Sequence, residues 1–253
     1  MTIQPAVRLL LATILVVLTA GAQIDTEIIP PAQDLRDLYE RAAASRLVIV
    51  GTVVKSEGVA KRLSQSDKDK MIQPGPEKGT FIVSLDGVVG GSLFTIQIED
   101  TVCRQADFEA DTNAPPKAQS TVQLFLPHDE RSWINGHRQE ILLTGTRYLV
   151  FLVEPAHEIQ KDWTSKFDLD PNQTYYRGEE LNRGIIPLDQ TVSGPGAPPQ
   201  SAVLDKTTRL CQAFRPPRLA DKLAALRKLV ASGDPVLRKE AKQGLKHLQS
   251  MQH

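Results

Sequence analysis

The sequence predicts a mainly β protein: a small antiparallel barrel of five strands, a helix packed ahead of the first strand, and a C-terminal α-helical hairpin. Three observations carry this. Five short apolar runs are separated by polar or irregular stretches. Two of those runs, RLVIVGTVVKS from Arg46 and GTRYLVFLVEP from Gly145, are apolar on both faces, so each needs cover on both sides. From Pro216 onward the apolar spacing turns helical, with a break at Ser232–Gly233.

The chain has 253 residues, with 30 basic and 30 acidic side chains and two cysteines. That length suits one or two globular domains that do not depend on dense disulfides. A balanced charge lacks the basic footprint that nucleic acid demands, so no nucleic-acid partner is expected.

The N-terminus has a secretory leader's layout: Arg8, an apolar run from Leu9 to Leu18, then Ala20-Gly21-Ala22. Residues 1–22 are read as a signal peptide, with a mature start at Gln23. The rival is a retained anchor, but the apolar core falls short of the ~20 residues a spanning helix needs. A secreted or periplasmic protein follows, without a membrane span after cleavage. In an exported chain, two cysteines invite one bridge, Cys103 to Cys211; two unpaired thiols are the alternative.

Along the mature chain, residues 33–155 form the expected barrel domain. Leu35, Leu38, Tyr39 and Ala42 recur at helical spacing over 34–44, with Asp34 placed to cap the start. The strand from Arg46 follows, and residues 55–79 read as a polar loop. Then come TFIVSLDGVV from Thr80, FTIQIED with Phe94, Ile96 and Ile98 on one face, and TVQLFLP with Val122, Leu124 and Leu126 on one face. In a barrel one face of every strand fills the interior. The two doubly apolar strands then need an outer cover, and the helix at 34–44 is the nearest apolar stripe. A two-layer α+β sheet of the same elements is the alternative.

Residues 156–215 read as loop-rich wrapping, with one strand in GIIPLDQTV. Residues 216–253 form the hairpin: Leu219, Leu223, Leu226 and Val230 line the first helix, Gly233 ends it, and Asp234 and Pro235 open the second. In the second helix Leu237, Ala241, Leu245 and Leu248 form the apolar face, with Lys239, Lys242 and Lys246 opposite as a candidate interaction surface.

The order of a helix before SRLVIVGTVV, the strand-turn FIVSLDGVVGGS, FTIQIED and GTRYLVFL resembles the OB-fold module of the netrin-like and tissue-inhibitor-of-metalloproteinase-like group, as in exported bacterial versions. The resemblance spans about residues 35–155 and implies an OB-like barrel. In that group's inhibitors a first-residue cysteine chelates the target's zinc. Here the expected mature start is Gln23 and no cysteine precedes Cys103, so that chemistry carries over to no residue. The stretch DPVLRKEAKQGLKHL resembles one helix of a HEAT-type repeat, and a single copy makes a hairpin rather than a solenoid.

Two stretches carry the residue types of cation sites. Asp168, Asp170, Asn172, Thr174 and Glu179 stand at positions 1, 3, 5, 7 and 12 of a calcium-loop spacing. Against it, Gln173 replaces the glycine of the sharp turn, Pro171 stiffens position 4, and RGEELNRG is a poor second helix, so a solvated polar loop is preferred. His128, Asp129, Glu130, His137 and Glu140 lack any zinc-ligand spacing, and a hairpin turn at Asn135–Gly136 explains that stretch more simply. No nucleophile elbow, phosphate loop or dinucleotide fingerprint occurs. No cofactor and no catalytic residue are assigned. The reading favoured is a non-catalytic exported binding protein with an unidentified protein or cell-envelope partner. The alternatives are an extracytoplasmic metal-assisted hydrolase using 128–140 and a structural envelope component.

Overall fold

The computed structural model describes residues 37–64, 72–74, 81–83, 89–109, 119–127, 133–134, 137–138, 142–178, 184–189 and 200–251. The leader, Asp34 and Gln23 lie outside them. In chain order the elements are α1 (Leu38–Ala44), β1 (Leu47–Ala60), β2 (Ile72–Pro74), β3 (Phe81–Val83), β4 (Val89–Arg104), a 3-10 turn (Gln105–Phe108), β5 (Thr121–Pro127), β6 (Trp133–Ile134), β7 (His137–Arg138) and β8 (Arg147–Val153). There follow α2 (His157–Lys166), β9 (Arg177–Gly178), β10 (Ile185–Pro187), α3 (Gln200–Phe214), α4 (Leu219–Ala231) and α5 (Pro235–Ser250).

The main sheet is antiparallel with the order β10-β8-β1-β4-β5, and β9 also pairs with β8. Its spine is the long pair β1 and β4, whose register shifts at four places, including Val50/Gly51 and Val53/Lys55. Such irregularities bend a strand and raise its twist. Bending lets one strand serve three environments: Val48 and Val50 lie in one apolar cluster, Ile49 and Val53 in a second, and Val59 in a third.

The predicted closed five-stranded, mainly β barrel is corrected in two respects. The sheet is not closed into a barrel, because the outer edge of β8 is taken by short segments rather than by β5: Ile185–Pro187 pairs with Tyr148–Val150, and Arg177–Gly178 with Leu152–Val153. The run TFIVSLDGVV is not one barrel strand either; Phe81–Val83 pairs with Ile72–Pro74 in a separate two-stranded sheet, and β4 begins at Val89. With five helices beside the sheet among the described residues, the protein is mixed α/β. Two of the helices, α2 and α3, lie in the span expected to be loop-rich, and the strand expected in GIIPLDQTV is β10.

The double-sided strand at 147–153 is covered as its pattern demands. Leu149 and Phe151 join Val48, Val50, Val102 and Cys103 under a helical layer that supplies Leu38 and Ala42 from α1, Leu210 and Phe214 from α3, Leu226 from α4, and Leu237 and Leu248 from α5. Tyr148, Val150 and Leu152 face the other way, packing with Ile96, Val122, Leu124 and Tyr176. Full burial of each such side chain contributes about 1.5–3 kcal/mol. The anticipated cover from the first helix is therefore real but partial, since three further helices share the layer.

A third cluster sits where β5 turns its odd face outward. Phe125 meets Trp163 and Phe167 at ring-centroid distances of 5.1 Å, with Tyr175 at 6.5 Å. The rings reach the sheet because Gly90 and Gly91 lack side chains: a Cβ on Gly91 would stand 2.5 Å from the Phe125 ring, and one on Gly90 2.5 Å from that of Phe167. Gly145 has φ +84°, a left-handed conformation that favours glycine, and its N–H donates to Val53 O at 2.8 Å beside the Leu143–Tyr148 turn. The hairpin β6–β7, with Trp133 opposite Arg138 and Ile134 opposite His137, falls in a different compact unit from the other described elements.

Candidate functional site

Asp234 opens α5 as expected: its Oδ1 accepts from the amides of Val236 (2.9 Å) and Leu237 (3.1 Å), and Pro235 takes the first helical position. Its other oxygen is bound by Lys206 of α3, whose hydrogen bond holds the Asp234 carboxyl below its ordinary value. Gly233 is not a left-handed stop; α4 ends at Ser232 in an extended conformation. Leu237, Ala241 and Leu248 are fully buried, while Leu245 is half-buried. Gly244 lets α5 seat against Phe214, to which a Cβ there would come within 2.5 Å.

With that face committed to the core, Lys239, Lys242 and Lys246 point to solvent. Arg227 and Lys228 of α4 and Arg238 of α5 are exposed as well. From Arg215 to the end the sequence holds nine Lys/Arg against three Asp/Glu, whereas residues 23–214 hold twenty against twenty-seven. The hairpin is therefore a basic element on an acidic body. Within the stripe, Lys239 is shared with the body: its Nζ lies 3.3 Å from Asp37 Oδ1 and 3.7 Å from Glu240 Oε1.

Charged groups that sequence reasoning missed lie beneath this surface. Glu240 is fully buried, and its Oε2 accepts the Tyr39 amide at 2.8 Å. It therefore caps α1 from another helix, in place of Asp37, whose side chain makes no cap and whose φ is 60°. Lys222 of α4 is also fully buried, donating to the carbonyls of Asp107 (2.7 Å) and Glu109 (2.6 Å). Arg41 is buried with its guanidinium 5.4 Å from the centre of the Phe151 ring. Arg215, itself exposed, donates from Nη2 to the carbonyls of Thr101 (2.7 Å) and Val102 (2.9 Å). A signal existed for two of these: Glu240 falls between Leu237 and Gly244 on the inward face, and Lys222 falls four residues before Leu226.

On the opposite part of the sheet, Arg147 donates to Glu99 (2.8 Å) and contacts Asp189 (3.7 Å), while Thr52 also donates to Glu99. The Thr52 bond, with the Arg147 guanidinium, holds the Glu99 carboxyl below its ordinary value. These groups are too exposed for the network to count for much in stability.

Among the described residues, the calcium-spaced side chains form no group placed to hold a metal ion. Asp168 is exposed and pairs with Arg62 at 3.7 Å; Asp170 Oδ1 accepts the Asn172 amide at 2.9 Å and so closes its own turn. Thr174 is exposed, and Glu179 lies outside the described residues. Tyr175 anchors this turn by accepting the Asp170 amide at its Oη, 2.9 Å away. His128, Asp129, Glu130 and Glu140 lie outside the described residues, and His137 enters only as backbone of β7. Among the described residues no group of three or more His, Cys, Asp or Glu is placed to hold a metal ion. Cys103 of β4 and Cys211 of α3 lie at disulfide-bonding distance, with Cα atoms 5.5 Å apart. No described helix is long and apolar enough to cross a membrane.

Together these features define a class: a mixed α/β protein in which a bent antiparallel sheet carries a helical layer with a basic outer face. Comparison with family models, curated proteins and solved structures finds no match to this chain.

Proposed function

We propose that this chain is an exported, non-catalytic binding protein whose C-terminal hairpin meets an acidic partner. The observation that carries the reading is the division of α5. Its leucine face is spent on the core, leaving Lys239, Lys242 and Lys246 exposed on the other side. Export draws support from the leader pattern and from the cysteine pair at bonding distance. The OB-like reading draws support from Tyr176 and β9: Tyr176 bridges to Leu124 of β5, and the next two residues pair with β8. Those few residues thus span the two strands that a barrel would have to join.

Poly-L-glutamate serves as the acidic probe. The full mature chain is expected to bind it at low salt and to release it as ionic strength rises. The double variant Lys242→Glu/Lys246→Glu is expected to weaken binding by more than about tenfold, since a lysine near an anionic surface contributes on the order of 1 kcal/mol. Its melting temperature should stay within a degree or two of the parent, because both side chains are exposed. Equal affinity for the probe in parent and variant would remove the basis for the reading.

A further inference from the structure

We propose that the junction of α1 and α5 is a pH-sensitive clasp closed by Glu240, tightening as the solution becomes more acidic. The geometry supplies the device. The Glu240 side chain is fully buried; Oε2 receives the Tyr39 amide at 2.8 Å, while Oε1 has no hydrogen-bond partner. Two further buried polar atoms on the same pair of helices, Tyr39 Oη and Gln243 Oε1, are also without a hydrogen-bond partner. Gln243 follows Glu240 by three residues, which puts both on one side of α5. The ionised carboxylate therefore brings a charge into a site with too few donors for it. A neutral acid keeps its carbonyl oxygen for the Tyr39 amide and gains an O–H to offer the unpartnered oxygens.

The charges around the clasp are few. From α1 and the residue that opens it they are Asp37, whose charge raises the cost of ionising Glu240 while its backbone N–H lowers it, Glu40, which acts on Tyr39, and the buried Arg41. From α5 itself they are Lys239, 3.7 Å from Oε1, and His247, whose ring centre is 6.0 Å from that of Tyr39. From the other helices packed on α5, Lys206 of α3 is bound to Asp234, and Lys222 of α4 donates to the carbonyls of Asp107 and Glu109. Burial dominates, pushing the Glu240 carboxyl above its ordinary 4.5 against the pull of the Tyr39 amide, Lys239 and the Asp37 backbone N–H. Burial likewise pushes the Tyr39 phenol to about 12, so it stays neutral throughout.

A carboxyl raised in the folded state gives stability that is complete below its unfolded value and lost as pH rises through the folded value. The Glu240 window therefore opens above 4.5. It is separate from those of Glu99 and Asp234, which are lowered and act only below their ordinary 4.5 and 3.8. What the clasp holds is α1, the helix that carries Arg41 over Phe151, together with the end of the lysine stripe at Lys239.

The test follows thermal melts of the full mature chain and of Glu240→Gln from pH 4.5 to 8. The variant cannot ionise at this position, so the parent should lose ground against it as pH rises. The gap should widen by about 3–5 °C for each pH unit by which the folded carboxyl is displaced. Should the variant fold poorly, the Tyr39 amide nitrogen shift in the parent gives an independent titration. Its midpoint should lie above the ordinary 4.5 of a glutamate. A melting gap that does not change with pH, or a Tyr39 midpoint at or below that value, overturns the clasp.

Discussion

Reduction of the Cys103–Cys211 pair is expected to lower the melting temperature of the protein by about 10 °C or more. The two residues are separated by 108 positions, and a loop of about that length is worth up to roughly 4.7 kcal/mol in the chain-entropy picture. Both are buried between sheet and helical layer, Cys103 beside Val102 on β4 and Cys211 beside Leu210 on α3. The link therefore fastens α3 to the spine of the sheet, and breaking it should loosen the helical layer first. Melts with and without reductant measure the effect. Labelling with a maleimide after unfolding without reductant decides whether the link exists, because a bridged protein yields no reactive thiol.

The second large effect is expected from Phe214→Ala, which should cost about 3–5 kcal/mol. Phe214 is fully buried at the meeting point of four elements. Its ring centre lies 4.5 Å from that of Phe108 and 5.7 Å from that of Tyr39, and its edge fills the notch left by Gly244. Truncation leaves a cavity that α1 and α5 cannot both collapse into, since Glu240 fixes their separation through the Tyr39 amide. Urea titration gives the magnitude. Phe214 stands three residues from Cys211 on the same helix, so the two effects should not add.

Much of this arrangement was readable from residue pattern, and the failures have physical causes. The two strands apolar on both faces, at Leu47 and Arg147, correctly demanded cover on two sides. The hairpin was legible because Leu237, Ala241 and Leu248 keep helical spacing behind an Asp-Pro start. Helix α3 was missed although Val203, Leu210, Cys211 and Phe214 keep the same spacing, because Thr207 and Lys206 interrupt the apolar run. Thr207 is nonetheless buried, its hydroxyl donating to Val203 O within the helix. Helix α2 offers mainly Trp163 to the core, too little for periodicity to register. Closure of the sheet failed as an expectation because edge pairing by β9 and β10 is decided by tertiary contacts, not by strand pattern. At the candidate surface the three lysines were legible as one helix face. The buried Glu240 and Lys222 hold inward positions in the helical spacing, but their charge argues against burial, so the spacing alone did not single them out.

Competitive lysine acetylation of the native chain, read by mass spectrometry with and without poly-L-glutamate, reports on the docked hairpin and on its basic face at once. Lys242 and Lys246 should label quickly in the free protein and become protected by the polyanion. Lys222, fully buried against the carbonyls of Asp107 and Glu109, should remain unlabelled in both conditions. Rapid labelling of Lys222, or Lys242 and Lys246 that are as reactive with the polyanion as without it, would contradict a docked hairpin that offers its basic face to an acidic partner.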